Sequence, residues 1–108
     1  MATPSSDSAG IRQSIRALRN AGYSLVAVDD GGYYEPAEGG DSDGDQIVSN
    51  ETQAIEAITA VDDARLFVKN GDVSGWVRYV MGNSPEEVIC DYTVNLSHVL
   101  DALIDSWD

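Results

Sequence analysis

Two apolar runs, ARLFVK (64–69) and WVRYVM (76–81), flank the segment NGDVSG. β-Branched and aromatic residues on either side of an Asn-Gly-Asp turn read as a β-hairpin. After the turn GNSPEE, the run EVICDYT (87–93) reads as a further strand, with Val88, Cys90 and Tyr92 on one face. Strands that follow one another by turns point to an antiparallel meander that needs helices to cover it.

The rest of the chain supplies those helices. SDSAGIRQSIRALRNAGY (6–23) places Ile11, Ile15 and Leu18 at helical spacing, with Ser6, Asp7 or Ser8 to cap it and Gly22 to stop it. YSLVAV (23–28) reads as a short strand running into the turn DDGG. SNETQAIEAITAV (49–61) reads as a second helix. Asn50 caps it, Gln53 lies three residues on, and Ala54, Ile55, Ile58 and Val61 form its apolar face. NLSHVLDALIDSW (95–107) reads as a third, capped by Thr93 or Asn95. The expected fold is α+β, a two-layer sandwich. About four antiparallel strands form a meander packed with three helices, in the order α-β-(β)-α-β-β-β-α. Residues 1–8 read as a flexible arm, 9–108 as a single domain, and 35–49 as an exposed acidic loop within it.

Within that loop, DSDGDQIVSNE resembles a calcium loop in composition but not in spacing. Counted from Asp41, ligand positions 1, 3 and 5 are Asp41, Asp43 and Asp45, but position 6 is Gln46 and position 12 is Thr52, with Glu51 one residue early. An EF-hand needs Gly and Glu at those two places. The set Asp41, Asp43, Asp45 and Glu51 therefore reads as weak cation binding at most, and no metal or other cofactor is expected. Glu51 is placed well for the first turn of the second helix.

No catalytic constellation emerges. His98 is the one histidine and falls off the apolar face of its helix, while Cys90 falls on the core face of its strand. One cysteine allows neither an internal disulfide nor a Cys-rich zinc site. Carboxylate pairs at Asp29–Asp30, Asp62–Asp63 and Glu86–Glu87 are what a chain with nineteen acids offers by abundance. No glycine loop followed by Lys could cradle a phosphate.

Charge is the informative property. Nineteen acids face six bases, for a net charge of -13. Residues 1–24 carry +2 through Arg12, Arg16 and Arg19, residues 25–60 carry -9, residues 61–83 balance, and residues 84–108 carry -6. Such a chain is repelled by phosphate backbones and anionic membranes, so neither nucleic acid nor membrane is an expected direct partner. The start has no basic or hydrophobic region of a secretory signal, so a cytoplasmic location is expected. The three arginines of the first helix share one flank and are expected to pair with acids inside the fold, or else to form a docking patch for an acidic partner. On the last helix Asp101, Asp105 and Asp108 lie opposite Leu96, Val99, Leu100, Leu103 and Trp107. Successive carboxylates are about one helical turn apart, a line of negative charge on a rigid support.

The stretch WVRYVMGNSPEEVICDYTVNL (76–96) resembles the C-terminal half of small acidic proteins of phages and prophages. The shared pattern is a strand, a GN-x-P-E-E turn, a strand ending in DYT, and NL opening a helix. The resemblance carries no catalytic residue. It implies a setting, host cytoplasm, and a mode of action in which small acidic proteins block host machinery such as CRISPR and restriction complexes.

The expected function is thus a non-enzymatic acidic interaction module, a candidate DNA mimic or anti-CRISPR-type inhibitor, docking a basic nucleic-acid-binding surface of a host complex. Asp101, Asp105, Asp108, Asp41, Asp43 and Asp45 would carry the contact. One alternative is a structural or accessory protein whose Asp-rich surface serves only solvation in a high-salt cytoplasm, with a homodimer possible. Another is a small metal- or Cys-dependent enzyme.

Overall fold

A computed structural model describes residues 4–29, 45–82, 84 and 87–107. Helix α1 (Asp7–Asn20) leads into strand β1 (Ser24–Asp29). Strand β2 (Asp45–Ile47) and helix α2 (Glu51–Thr59) follow, then strands β3 (Asp63–Asn70), β4 (Val73–Val80) and β5 (Ile89–Tyr92). A 3-10 turn (Val94–Leu96) opens helix α3 (Ser97–Ser106). The five strands form one sheet in the order β2-β1-β3-β4-β5, antiparallel at every pairing. The α+β class and the order of elements agree with the sequence reading.

The hairpin is tighter than its sequence suggests. β3 and β4 pair from Asp63↔Val80 to Asn70↔Val73, so only Gly71 and Asp72 connect them. Gly71 takes φ 62° at the first central position, the place where a type II′ turn calls for glycine. Alternation then sorts the two strands. Ala64, Leu66, Val68, Val77 and Tyr79 are buried against the helices, and Arg65, Phe67, Trp76 and Arg78 lie half-buried on the other face.

Two stretches read as loop or arm are structured. β2 lies inside the 35–49 segment, pairing Ile47 with Ala27, and the Val48 amide donates to the Val26 carbonyl. Val48 is 2% exposed and joins the core, which an acidic-loop reading based on neighbouring Gly and Asp overlooks. At the N-terminus α1 already begins at Asp7, because the Ser6 side chain accepts from the Ala9 amide and satisfies a first-turn donor. For α2, Asn50 accepts from the Gln53 amide at 2.8 Å, and Gln53 Oε1 accepts in return from the Ser49 amide at 2.9 Å, a variant of the expected capping box.

The helices bury Ile11, Ile15, Leu18, Ile55, Ile58, Leu100 and Leu103 against the sheet. One polar pair lies within this layer. Tyr79 and Ser14 are fully buried, their hydroxyl oxygens are 2.6 Å apart, and Ser14 Oγ donates to the Ile11 carbonyl. The proton of Ser14 being spent on Ile11, the Tyr79 hydroxyl is the donor to Ser14 Oγ. Burial pushes the Tyr79 phenol well above its ordinary value of 10.0. The unfolded chain therefore ionises this tyrosine first, so its contribution to stability is complete below pH 10 and is lost as pH rises beyond it. Alkaline titration should show unfolding free energy falling above pH 10, with a shallower fall in Tyr79→Phe.

Candidate functional site

The acidic face of α3 depends on how that helix is seated. Leu96, Leu100, Leu103 and Trp107 are buried, and Trp107 Nε1 donates to Gln13 Oε1 on α1 at 2.9 Å. The opposite side of the helix leaves Asp101 and Asp105 exposed. Thr93 and Asn95, the expected caps, do not cap α3. A 3-10 turn intervenes, no side chain caps the helix, and both residues face β4 instead. The Trp76 amide donates to Thr93 Oγ1 at 3.2 Å, and Asn95 Nδ2 donates to the Ser74 carbonyl at 2.7 Å. They clasp the strand at Gly75, where an added Cβ would lie 2.6 Å from Thr93 Oγ1 and 3.0 Å from Leu96 Cγ.

β5 brings Tyr92 to this side. Its register against β4 slips between Arg78 and Tyr79, so Arg78 pairs with Asp91 while Tyr79 pairs with Ile89. The slip is a bulge at Cys90. It puts Ile89 and Tyr92, three residues apart, against the core and leaves Cys90 exposed. The core placement of Cys90 expected from strict alternation is thereby corrected, since alternation fails at an inserted residue.

The Tyr92 hydroxyl donates to the Asp101 carboxylate, joining the edge of the sheet to α3. That bond, with lesser contributions from burial and from the charges of Asp101, Asp105 and Asp91, pushes the Tyr92 phenol up to about 12. Two carboxylates of α3 therefore act on one half-buried tyrosine.

Among the described residues, Asp101 and Asp105 have no ion pair. Four of the six bases are engaged elsewhere. Arg12 and Arg16 both donate to Glu51, at 2.8 and 3.2 Å, and the hydrogen bond from Arg16 is the main reason the Glu51 carboxyl lies below its ordinary range. Two of the three α1 arginines thus pair with an acid inside the fold, as expected, and no such pair is shown for Arg19 among the described residues. Arg78 clamps Asp63 through two bonds of 3.0 and 2.6 Å and lowers its carboxyl pKa. Arg65 lies 5.4 Å from the centre of the Trp76 ring, a cation–π distance.

Asp41, Asp43 and Asp108 lie outside the described residues, as do Asp30 and Glu86. Asp45 sits at the start of β2, opposite Asp29. No group of three or more His, Cys, Asp or Glu among the described residues could hold a metal ion. His98 is exposed with its ring 6.5 Å from that of Tyr23, and no hydrogen bond joins it to Cys90. No helix among the described residues is long and apolar enough to cross a membrane.

Sequence reasoning placed Asp101 and Asp105 correctly on the exposed side of α3 but missed Tyr92. The signal in one dimension is weak: an aromatic nine residues before an acid, on a strand whose alternation is broken.

Neither the protein-family models, nor the curated proteins, nor the solved structures compared with the chain match it.

Proposed function

We propose that the protein is a non-enzymatic acidic interaction module, and that the face built by Tyr92, Asp101 and Asp105 occupies a basic, nucleic-acid-binding surface of a host complex, as an inhibitor of the phage type would. The observation that carries this reading is the Tyr92–Asp101 bond, with Asp105 close enough to act on the same phenol. A carboxylate held by a tyrosine loses less rotamer freedom on docking than a free surface acid. Tyrosine is also among the residues that dominate interface energies. In a chain of net charge -13, this arrangement supplies both steering toward a basic groove and fixed points of contact within it.

The test is capture from a nuclease-treated host lysate with the wild type and with Asp101→Asn/Asp105→Asn. A nucleic-acid-binding protein should be retained at low salt and released at high salt, because the attraction is screened. Retention by the double variant should fall about tenfold, the effect of roughly 1.4 kcal/mol. Equal retention by wild type and variant would remove α3 from the contact and sink the reading.

A further inference from the structure

Asparagine followed by glycine occurs once in the chain, at Asn70–Gly71, where β3 turns into β4. The other asparagines, Asn20, Asn50, Asn83 and Asn95, precede Ala21, Glu51, Ser84 and Leu96. The side-chain carbonyl of an asparagine is an electrophile within reach of the next residue's backbone nitrogen, and the two can close a succinimide ring. Ring closure needs a nitrogen that no hydrogen bond holds, and room for its approach. Glycine, with no Cβ, obstructs the approach least.

The fold sorts the asparagines by these conditions. After Asn20, the Ala21 amide donates to the Ala17 and Leu18 carbonyls, both at 3.1 Å. After Asn95, the Leu96 amide donates to the Thr93 carbonyl at 2.9 Å, and Asn95 Nδ2 is itself bound to the Ser74 carbonyl. Asn50 Oδ1 is held by the Gln53 amide at 2.8 Å. Asn83 lies outside the described residues. Asn70 is exposed, and neither its side chain nor the Gly71 amide has a hydrogen-bond partner among the described residues. Nothing lies within 4 Å of a Cβ built on Gly71. Asn70 pairs with Val73 in the last rung of the β3–β4 ladder, and β1 stops short of it, at Ser24↔Lys69. A single rung therefore has to open for the ring to close, and the ends of elements open first.

We propose that Asn70 is a site of spontaneous deamidation, a modification that the chain undergoes with water as the only co-reactant. The Gly71 nitrogen loses its proton and bonds to Asn70 Cγ. The Cγ–Nδ2 bond breaks, and ammonia leaves with that proton. Water then adds to either carbonyl of the succinimide. Breaking the bond from nitrogen to Cγ yields aspartate. Breaking the bond from nitrogen to the α-carbonyl carbon yields isoaspartate, whose backbone runs through Cβ and Cγ. No electrons are gained or lost. The nucleophile is the deprotonated nitrogen, so conversion quickens as pH rises. The new carboxylate stands beside Gly22, where an added Cβ would lie 3.1 Å from Asn70 Nδ2. Gly22 follows the C-terminus of α1, the end at which negative charge is unfavourable. The proposal uses none of the observations behind the acidic α3 contact.

The test incubates the whole folded protein at neutral and mildly alkaline pH. Peptide mass spectrometry follows each asparagine, and labelling by an isoaspartyl methyltransferase scores isoaspartate. Conversion is expected at Asn70 ahead of Asn20, Asn50, Asn83 and Asn95, and faster at the higher pH. Anion exchange should resolve the converted protein by its added negative charge. In Asn70→Gln, whose ring would be larger, the early conversion should be lost. Asn70→Ser, which has no side-chain amide, serves if Asn70→Gln fails to fold by far-UV circular dichroism. Conversion at Asn70 only in urea-denatured protein would overturn the proposal, and so would conversion in the folded protein no earlier than at the other asparagines.

Discussion

Gly75→Ala should lower stability by about 1–3 kcal/mol, the range for inserting a methyl group where there is no room. The reason is the approach of the 3-10 turn. The new Cβ would stand 2.6 Å from Thr93 Oγ1, 3.0 Å from Asn95 Oδ1 and 3.0 Å from Leu96 Cγ. None of these atoms can retreat cheaply. Thr93 Oγ1 accepts from the Trp76 amide, Asn95 Nδ2 donates to the Ser74 carbonyl, and Leu96 is fully buried. Urea denaturation should show a lower midpoint with an unchanged slope, the mark of an altered stability and not of an altered unfolded state. An unchanged midpoint would mean that the turn does not press on β4. Because the same turn sets the direction of α3, the variant should also weaken partner capture if the acidic face is the contact.

Ser14→Ala and Tyr79→Phe remove opposite ends of one buried hydrogen bond, and they should not cost the same. Ser14→Ala leaves the Tyr79 hydroxyl, a donor, in a site with 0% exposure and takes away its acceptor. Leaving a buried polar group unsatisfied costs about 1–3 kcal/mol. Tyr79→Phe leaves Ser14 Oγ still donating to the Ile11 carbonyl at 2.7 Å, so the expected cost is nearer 1 kcal/mol. In Ser14→Ala/Tyr79→Phe the orphan is gone, and the double variant should cost less than the sum of the two. Additive losses, or Tyr79→Phe as the worse of the pair, would contradict the donor assignment.

Sequence periodicity was a good guide where a single element decides the outcome. Ser6, Asn50 and Gln53 act at the helix starts as their spacing predicts, and the apolar stripes of α1 and α3 are the buried ones. It failed where two elements negotiate. Thr93 and Asn95 have the chemistry of helix caps, but Gly75 offers a gap on β4 that their side chains fill instead. Cys90 alternates with Val88 and Tyr92 in the sequence, but the bulge adds a residue and shifts it outward. Ile47 and Val48 were lost among glycines and aspartates, although β1 provides an edge for them. For the candidate site, the acids of α3 were legible because a helix repeats regularly. Tyr92 was not, because its place depends on the register of β5.

The sheet ends in β2, three residues long, and in β5, four residues long and bulged. A further strand from another molecule would find few backbone groups in line at either edge, and short or bulged edges are how natural sheets avoid stacking into fibres. High net charge acts in the same direction. The protein can thereby reach high concentration without seeding cross-β aggregates.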